Sequence, residues 1–383
     1  MRHRIACLVL AMAGAIAPGS MALGQTVPAQ FVVSGKAAEK IQDFSTINLA
    51  TAQRIAETCE RYVTSRGGQH TIIVLDNDGN RVYMDRMDGQ GYANIVTAEM
   101  KARTALKTRE PSKATMNRVA RNPEQEAYEI QLGLYPVAGG LPIVVNKQMI
   151  GVVGAGGYRP NPPVWSDEIC VHNAMLEVIG PSVPPLLEDI QSQPIANREN
   201  LPVPRFGIAT APKSTLPAEF VVTGKGAANI FDGNQISLAA AKKIGRACRD
   251  WAASKGATMS LYIIDDAGEM VHMERMDGQV SSDISTALLK AQTALRLREP
   301  TSIRGTQLKN DPRSLPRNTS MFDFFLASGG IPIVVDGQMI GAMGVSGVEG
   351  GQDEACAIEG LKATFGEHAT VPVYSAAGAP EQR

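Results

Sequence analysis

The stretch GGLPIVVNKQMIGVVGAGG at 139–157 recurs as GGIPIVVDGQMIGAMGVSG at 329–347. Over the shared run up to Gly151/Gly341 the copies differ only at Leu141/Ile331, Asn146/Asp336 and Lys147/Gly337. A repeat of this fidelity constrains the fold more than composition does, because one structural unit has been written twice. The repeat is long. FVVSGKAA at Phe31 returns as FVVTGKGA at Phe220, and an offset of 189 holds through Cys59/Cys248, Asp76/Asp265, Arg86/Arg275 and Glu110/Glu299. The offset becomes 190 at the glycine pair and 186 at Asp167/Asp353, so length changes fall only in late loops. Units of about 150 residues are domains rather than solenoid repeats.

The expected organisation is a first domain at 31–180, a linker at 181–219, a second domain at 220–366 and a tail at 367–383. The linker holds eight of the chain's 23 prolines, which suits an extended surface segment. Residues 1–24 read as a signal peptide: Arg2, His3 and Arg4 precede a short apolar run, and Ala22-Leu23-Gly24 offers small residues for cleavage. The expected location is periplasmic or secreted, with no membrane association after cleavage. Lys+Arg number 37 against 38 Asp+Glu, so there is no basic field for nucleic acid.

Within each unit the periodicity switches cleanly. Leu49, Ala52, Ala56, Cys59 and Val63 step by three and four, and Leu238, Ala241, Gly245, Cys248 and Ala252 repeat the helical stripe. Strand-like runs at 70–75 and 81–86 flank Asp76-Asn77-Asp78-Gly79, a hairpin turn. A helix over 93–109 stops before Pro111, an irregular loop follows, then the glycine-flanked hairpin, then a helix from Asp167. Helix, hairpin, helix, hairpin, helix predicts an α+β fold, an antiparallel sheet with helices packed on it, made twice. Cys59 and Cys170 sit on the apolar stripes of the first and last helices, as do Cys248 and Cys356. They are either two intradomain disulfides, favoured by export, or four buried small side chains.

Both units resemble the GlcG/HbpS-like family, the haem-binding or haem-degrading domain also related to the C-terminal domain of PduO-type corrinoid adenosyltransferases. The resemblance is carried by the D-x-x-G turns at Asp76 and Asp265, RMDG at 86–89 and 275–278, K-A-x-T-A at 101–105 and 290–294, the two GG[LI]PIVV hairpins, and Gln352-Asp353-Glu354-Ala355. It implies a haem or tetrapyrrole ligand and assembly into homo-oligomers. The first unit departs from it by reading Trp165-Ser166-Asp167-Glu168.

On their own chemistry Arg86, Asp88 and Lys101, with Arg275, Asp277 and Lys290, are candidate ligand contacts, since guanidinium and ammonium groups suit propionates or another small carboxylate. The competing reading makes them structural, with Asp88 capping its turn. Tyr83 and His272 occupy equivalent positions before RMDG, and both residue types ligate haem iron. Strand alternation opposes this by turning them away from Val82 and Met84, to an ordinary exposed face. His70 faces Met259 and His172 faces Ile358, so both are expected on solvated or packed surfaces. Glu168 and His172 are an i, i+4 pair, but two ligands do not make a metal site, and no metal is expected. The aromatic loop at 318–325 can cover a flat apolar ligand in the second unit. No HExxH, CxxC, GxSxG or P-loop is present, leaving catalytic residues unassigned. Two other functions stay open: an enzyme acting on a small carboxylated or oxygenated metabolite through the Arg/Asp/Lys cluster, and an assembly protein without a ligand. The glycine hairpins are expected to meet across a pseudo-twofold axis between the units.

Overall fold

A computed structural model describes residues 27–40, 45–157, 167–188, 213–224, 226–229, 233–309, 319, 323–348 and 351–372. Residues 1–24, expected to be a signal peptide, and most of 181–219, expected to be a linker, lie outside the described residues. The first unit runs α1 (Leu49–Thr64), β1 (Thr71–Leu75), β2 (Arg81–Arg86), α2 (Tyr92–Thr108), α3 (Ser112–Arg121), α4 (Glu126–Gln131), β3 (Gly140–Val145), β4 (Gln148–Gly156) and α5 (Asp167–Val178). The second runs α6 (Leu238–Ser254), β5 (Ser260–Asp265), β6 (Met270–Arg275), α7 (Ser281–Leu297), α8 (Thr301–Lys309), β7 (Gly330–Val335), β8 (Gln338–Ser346), α9 (Asp353–Phe365) and a short β9 (Ala369–Thr370). The α+β class and the order of hairpins and long helices are as expected. The segments read as irregular loops begin instead with α3 and α8, which start directly after Pro111 and Pro300.

Local chemistry sets the boundaries. The Asn48 and Ser237 side chains accept hydrogen bonds from the Thr51 and Ala240 N–H groups, 2.8 and 3.2 Å, capping α1 and α6. In the first hairpin Asp76 Oδ1 accepts from the N–H groups of Asp78 and Asn80 while Gly79 turns at φ +80°. Asp265 and Gly268 repeat this in the second.

Among the described residues the two units share one nine-stranded sheet of order β3-β4-β1-β2-β6-β5-β8-β7-β9. Its centre is the antiparallel pair β2–β6, where Met84 lies opposite Met273, its own equivalent. The pseudo-twofold axis therefore passes through the strands that precede RMDG. The glycine hairpins lie toward the two outer edges, contrary to the expectation that they meet at the axis. Helices cover both faces. On one face α1 with α5, and α6 with α9, close a separate core for each unit. On the other, α2 and α7 pack over a single core drawn from both units, including Ile73, Met84, Tyr262 and Met273. Tyr83 and Met84 are both fully buried on opposite faces, so neither face of the central strands is the exposed surface that alternation suggested. Beyond residue 366 the chain still contributes, because Ala369–Thr370 pairs with β7.

The glycines of the repeated hairpin are explained by the unit's own helix. A Cβ on Gly154 would overlap the Ala98 carbonyl oxygen, and one on Gly344 the Ala287 carbonyl oxygen. Side-chain-free backbone thus lets α2 and α7 lie directly on β4 and β8. Replacing Gly344 by alanine is expected to destabilise the protein by about 1–3 kcal/mol through overpacking, measured as a fall in the urea midpoint at unchanged m-value.

Cys59 is bonded to Cys170 and Cys248 to Cys356, each pair joining the first and last long helices of its unit. All four sulfurs lie in residues with no exposed surface.

Candidate functional site

The residues singled out from the sequence go to several places rather than one. Arg86 crosses the axis to Asp265, 2.6 Å, and Arg275 crosses to Asp76, 2.8 Å, both buried. Each hairpin aspartate therefore gives one oxygen to its own turn and the other to the opposite unit's arginine. Asp88 Oδ1 accepts from the Leu238 N–H at the start of α6, 2.7 Å, and Asp277 Oδ1 accepts from the Leu49 N–H at the start of α1, 2.9 Å. The RMDG motifs are reciprocal clasps between the units, with each aspartate at the positive end of a helix belonging to the other.

Lys101 and Lys290 do not join them. Lys101 Nζ donates to the Ala155 carbonyl and Asp167 Oδ2, 3.0 and 2.8 Å, and Lys290 repeats this with Val345 and Asp353, 2.8 and 2.7 Å. Each lysine ties the long helix to the fourth strand and to the start of the last helix of its own unit. The expected Arg/Asp/Lys cluster is not assembled as one site, and its members are engaged in protein contacts.

Tyr83 and His272 meet at the axis, rings edge to face at 5.5 Å. His272 Nδ1 lies 2.5 Å from Asp85 Oδ1 and Nε2 lies 2.9 Å from Glu274 Oε1. Burial works against its charge, yet the carboxylates of Asp85 and Glu274 raise its pKa to about 9. An imidazolium held by two carboxylates has no lone pair for iron. Lys242 Nζ reaches Asp85 and Glu60, 2.9 and 3.0 Å, and Arg249 reaches Glu274, 2.7 Å. Burial opposes the charge on Asp85, but Lys242 and His272 overcome it and hold its pKa well below the usual range. Asp85 and Glu274 thus face Lys242, His272 and Arg249 in the seam between the units, and Glu60, whose pKa burial and the neighbouring Asp85 push well above the usual carboxylate range, sits beside Lys242. Sequence reasoning missed this network, although aligning the copies carries its signal. Gln53, Glu60, Tyr83 and Asp85 stand where Lys242, Arg249, His272 and Glu274 stand in the second unit. One set is acidic and the other mainly basic, as two complementary surfaces must be.

His70, expected on a solvated or packed surface, is fully buried, with Nδ1 3.5 Å from Cys59 Sγ. Burial lowers its pKa to about 4. His172 lies apart, with Nε2 3.0 Å from the Pro184 carbonyl, and Glu168 pairs with Lys113 at 2.5 Å.

An open cleft is found in the second unit, between α7, α8 and the loop at 323–328. It has a volume of about 870 Å³ and apolar walls from Leu289, Leu308, Phe324, Phe325 and Leu326. Phe325 is fixed by its N–H donating to Thr293 Oγ1, 2.9 Å, as Tyr135 is fixed by Thr104 in the first unit, 2.8 Å. On the cleft wall Ser302 donates to Glu354 Oε1, 2.9 Å, where the first unit places the Lys113–Glu168 ion pair. Gly305 replaces Met116 on the same helix. Two long side chains of the first unit have become a serine and a glycine here. The buried Glu354 carboxyl has a raised pKa because desolvation outweighs the hydrogen bonds from Ser302 and the Gly329 backbone and the charge of Lys290. The walls suit a flat apolar ring. The side chains described at the cleft supply hydroxyls and the Asp323 carboxylate, and no imidazole, thioether, thiolate or phenol. They fit the face of a macrocycle and not an axially ligated iron.

A family model described as "Haem degrading protein HbpS-like" matches residues 47–175 and 236–362, one match in each unit. The chain belongs to the HbpS-like family. Relatives about the size of one unit match the chain. An uncharacterized 15.0 kDa protein from the dhaT–dhaS intergenic region of Citrobacter freundii is 32% identical over 133 residues, covering 32% of this chain and 87% of that protein. Protein GlcG of Escherichia coli K12 is 33% identical over 114 residues, 29% of this chain and 81% of that protein. Among solved structures, Klebsiella pneumoniae protein ORFY is 27% identical with a TM-score of 0.32, covering 34% of this chain and 91% of that one. A PduOC:heme complex is 22% identical with a TM-score of 0.31, covering 34% and 94%. The haem connection rests on the description of the family itself.

Proposed function

We propose that the protein binds haem or a related tetrapyrrole in the cleft of the second HbpS-like unit, and that it does so outside the cytoplasm. The observation that carries the reading is the apolar, aromatic-walled cleft formed where Lys113 and Met116 are replaced by Ser302 and Gly305. Family membership supports the ligand class. The signal-like N-terminus and two disulfides support export. Among the described residues no helix is long and apolar enough to cross a membrane. Phe324, Phe325, Leu289 and Leu308 would hold the ring by burial of its faces, and Glu354, behind Ser302, would hold a proton above the ordinary carboxylate range. The haem itself would supply redox-active iron.

The test is a titration with haemin and, in parallel, with iron-free protoporphyrin IX, followed by absorption and fluorescence. One saturable site per chain is expected for both, because the described walls recognise the ring. Ser302→Lys should restore a pair like Lys113–Glu168, fill the cleft wall and abolish saturable binding without loss of fold. Phe325→Ala should weaken binding by about tenfold, the worth of one aromatic contact. Absence of saturable binding, or binding unchanged by Ser302→Lys, would refute the reading.

A further inference from the structure

His70 is buried without exposed surface beside the Cys59–Cys170 disulfide. Its Nδ1 has only the weak partner Cys59 Sγ at 3.5 Å, and its Nε2 has no hydrogen-bond partner among the described residues. A buried polar atom left unpaired costs about 1–3 kcal/mol. Packing alone does not call for that penalty. At the equivalent position the second unit has Met259, equally buried and with no imidazole to satisfy, in the same core as its own Cys248–Cys356 disulfide. The feature that distinguishes histidine from methionine here is its nitrogen donor. One ligand atom each from Cys59, His70 and Cys170 lie within 4.8 Å of one another.

We propose that Cys59, His70 and Cys170 form a zinc site when the disulfide between the two cysteines is reduced. The site is separate from the cleft, and neither reading depends on the other. Disulfide and metal centre are then two exclusive states of the same sulfurs. Reduction needs a dithiol reductant, which delivers two electrons, breaks the S–S bond, leaves two thiols and becomes a disulfide itself. Zn²⁺ then displaces both thiol protons to solvent and binds two thiolates and the neutral imidazole. The complex is formally uncharged, as a dry interior requires, because an unbalanced charge there is far more costly than a neutral group. Two cysteines and a histidine are a known zinc donor set that leaves a fourth position open, and thiolates select zinc over hard cations. α1 supplies Cys59, α5 supplies Cys170, and His70 immediately precedes β1, so the site joins three elements of the first core.

The experiment is anaerobic titration of the dithiol-reduced protein with Zn²⁺ against a chromophoric chelator, with Co²⁺ as an absorbing substitute. One zinc per reduced chain is expected, with thiolate-to-cobalt charge-transfer absorption, and none at this site in the oxidised chain. His70→Met, which gives the first unit the second unit's donor set, should lower affinity at least tenfold. The Cys248→Ala/Cys356→Ala variant should keep the site. If the reduced chain unfolds, adding Zn²⁺ should restore its native circular dichroism, and failure to do so overturns the proposal. So does uptake that is absent, or equal in wild type and His70→Met.

Discussion

Replacing Asp85 by alanine is expected to lower the unfolding free energy by about 3–5 kcal/mol, since it removes the fully buried carboxylate that Lys242 and His272 share and leaves them only Glu60 and Glu274. Few single substitutions in a domain reach that size. The pH dependence of stability tests the same network. His272 has its pKa raised in the folded state to about 9, against about 6.5 unfolded. The folded chain thus holds a proton that the unfolded chain releases first. Its stabilisation is complete below pH 6.5 and is lost as pH rises through 9, on the order of 3 kcal/mol in all. His70 has the opposite shift, down to about 4. It favours unfolding as pH falls from about 6.5 through 4, when the unfolded imidazole protonates first. Urea midpoints measured across this range should peak near pH 6.5. His272→Gln should flatten the alkaline limb alone, and His70→Met the acidic limb alone. An alkaline limb that survives His272→Gln would show that the seam does not hold an imidazolium.

Opening either disulfide is expected to cost about 2–5 kcal/mol, because each closes a loop of more than a hundred residues in the unfolded chain. Cys248→Ala/Cys356→Ala isolates one of them and avoids leaving buried free thiols. Losing both approaches the whole stability of an ordinary domain. Dithiol treatment should therefore bring the chain close to unfolding in mild urea, followed as a fall in the thermal midpoint with and without reductant. If reductant shifts the midpoint by less than a few degrees, the chain-entropy account of these bonds fails here.

Much of the fold could be read from residue spacing. The 3.6-residue stripes located α1 and α6 and placed each cysteine on an apolar face, and Asp76-Asn77-Asp78-Gly79 located the first turn. These are local signals, set by residues within a few positions of one another. α3 and α8 were missed because short segments after Pro111 and Pro300 carry too few turns for a periodic stripe. The candidate site was less legible. Arg86, Asp88, Arg275 and Asp277 were recognised as a motif, but a motif does not state which chain segment its side chains will meet. The cleft was legible only in part, through the aromatic loop. Its opening depends on the loss of Lys113 and Met116 equivalents packed from another direction.

By itself the sequence determined that there are two equivalent units, which elements each contains, and where apolar faces and turns fall, since short-range sterics and hydrophobic periodicity decide these. Only the tertiary structure decided that β2 and β6 fuse the sheets. That pairing turns an apparent ligand cluster into an interdomain clasp and makes His272 a buried cation between Asp85 and Glu274. The physical reason is that desolvation and charge pairing depend on what lies across a contact, and here the partners are separated by about half the chain.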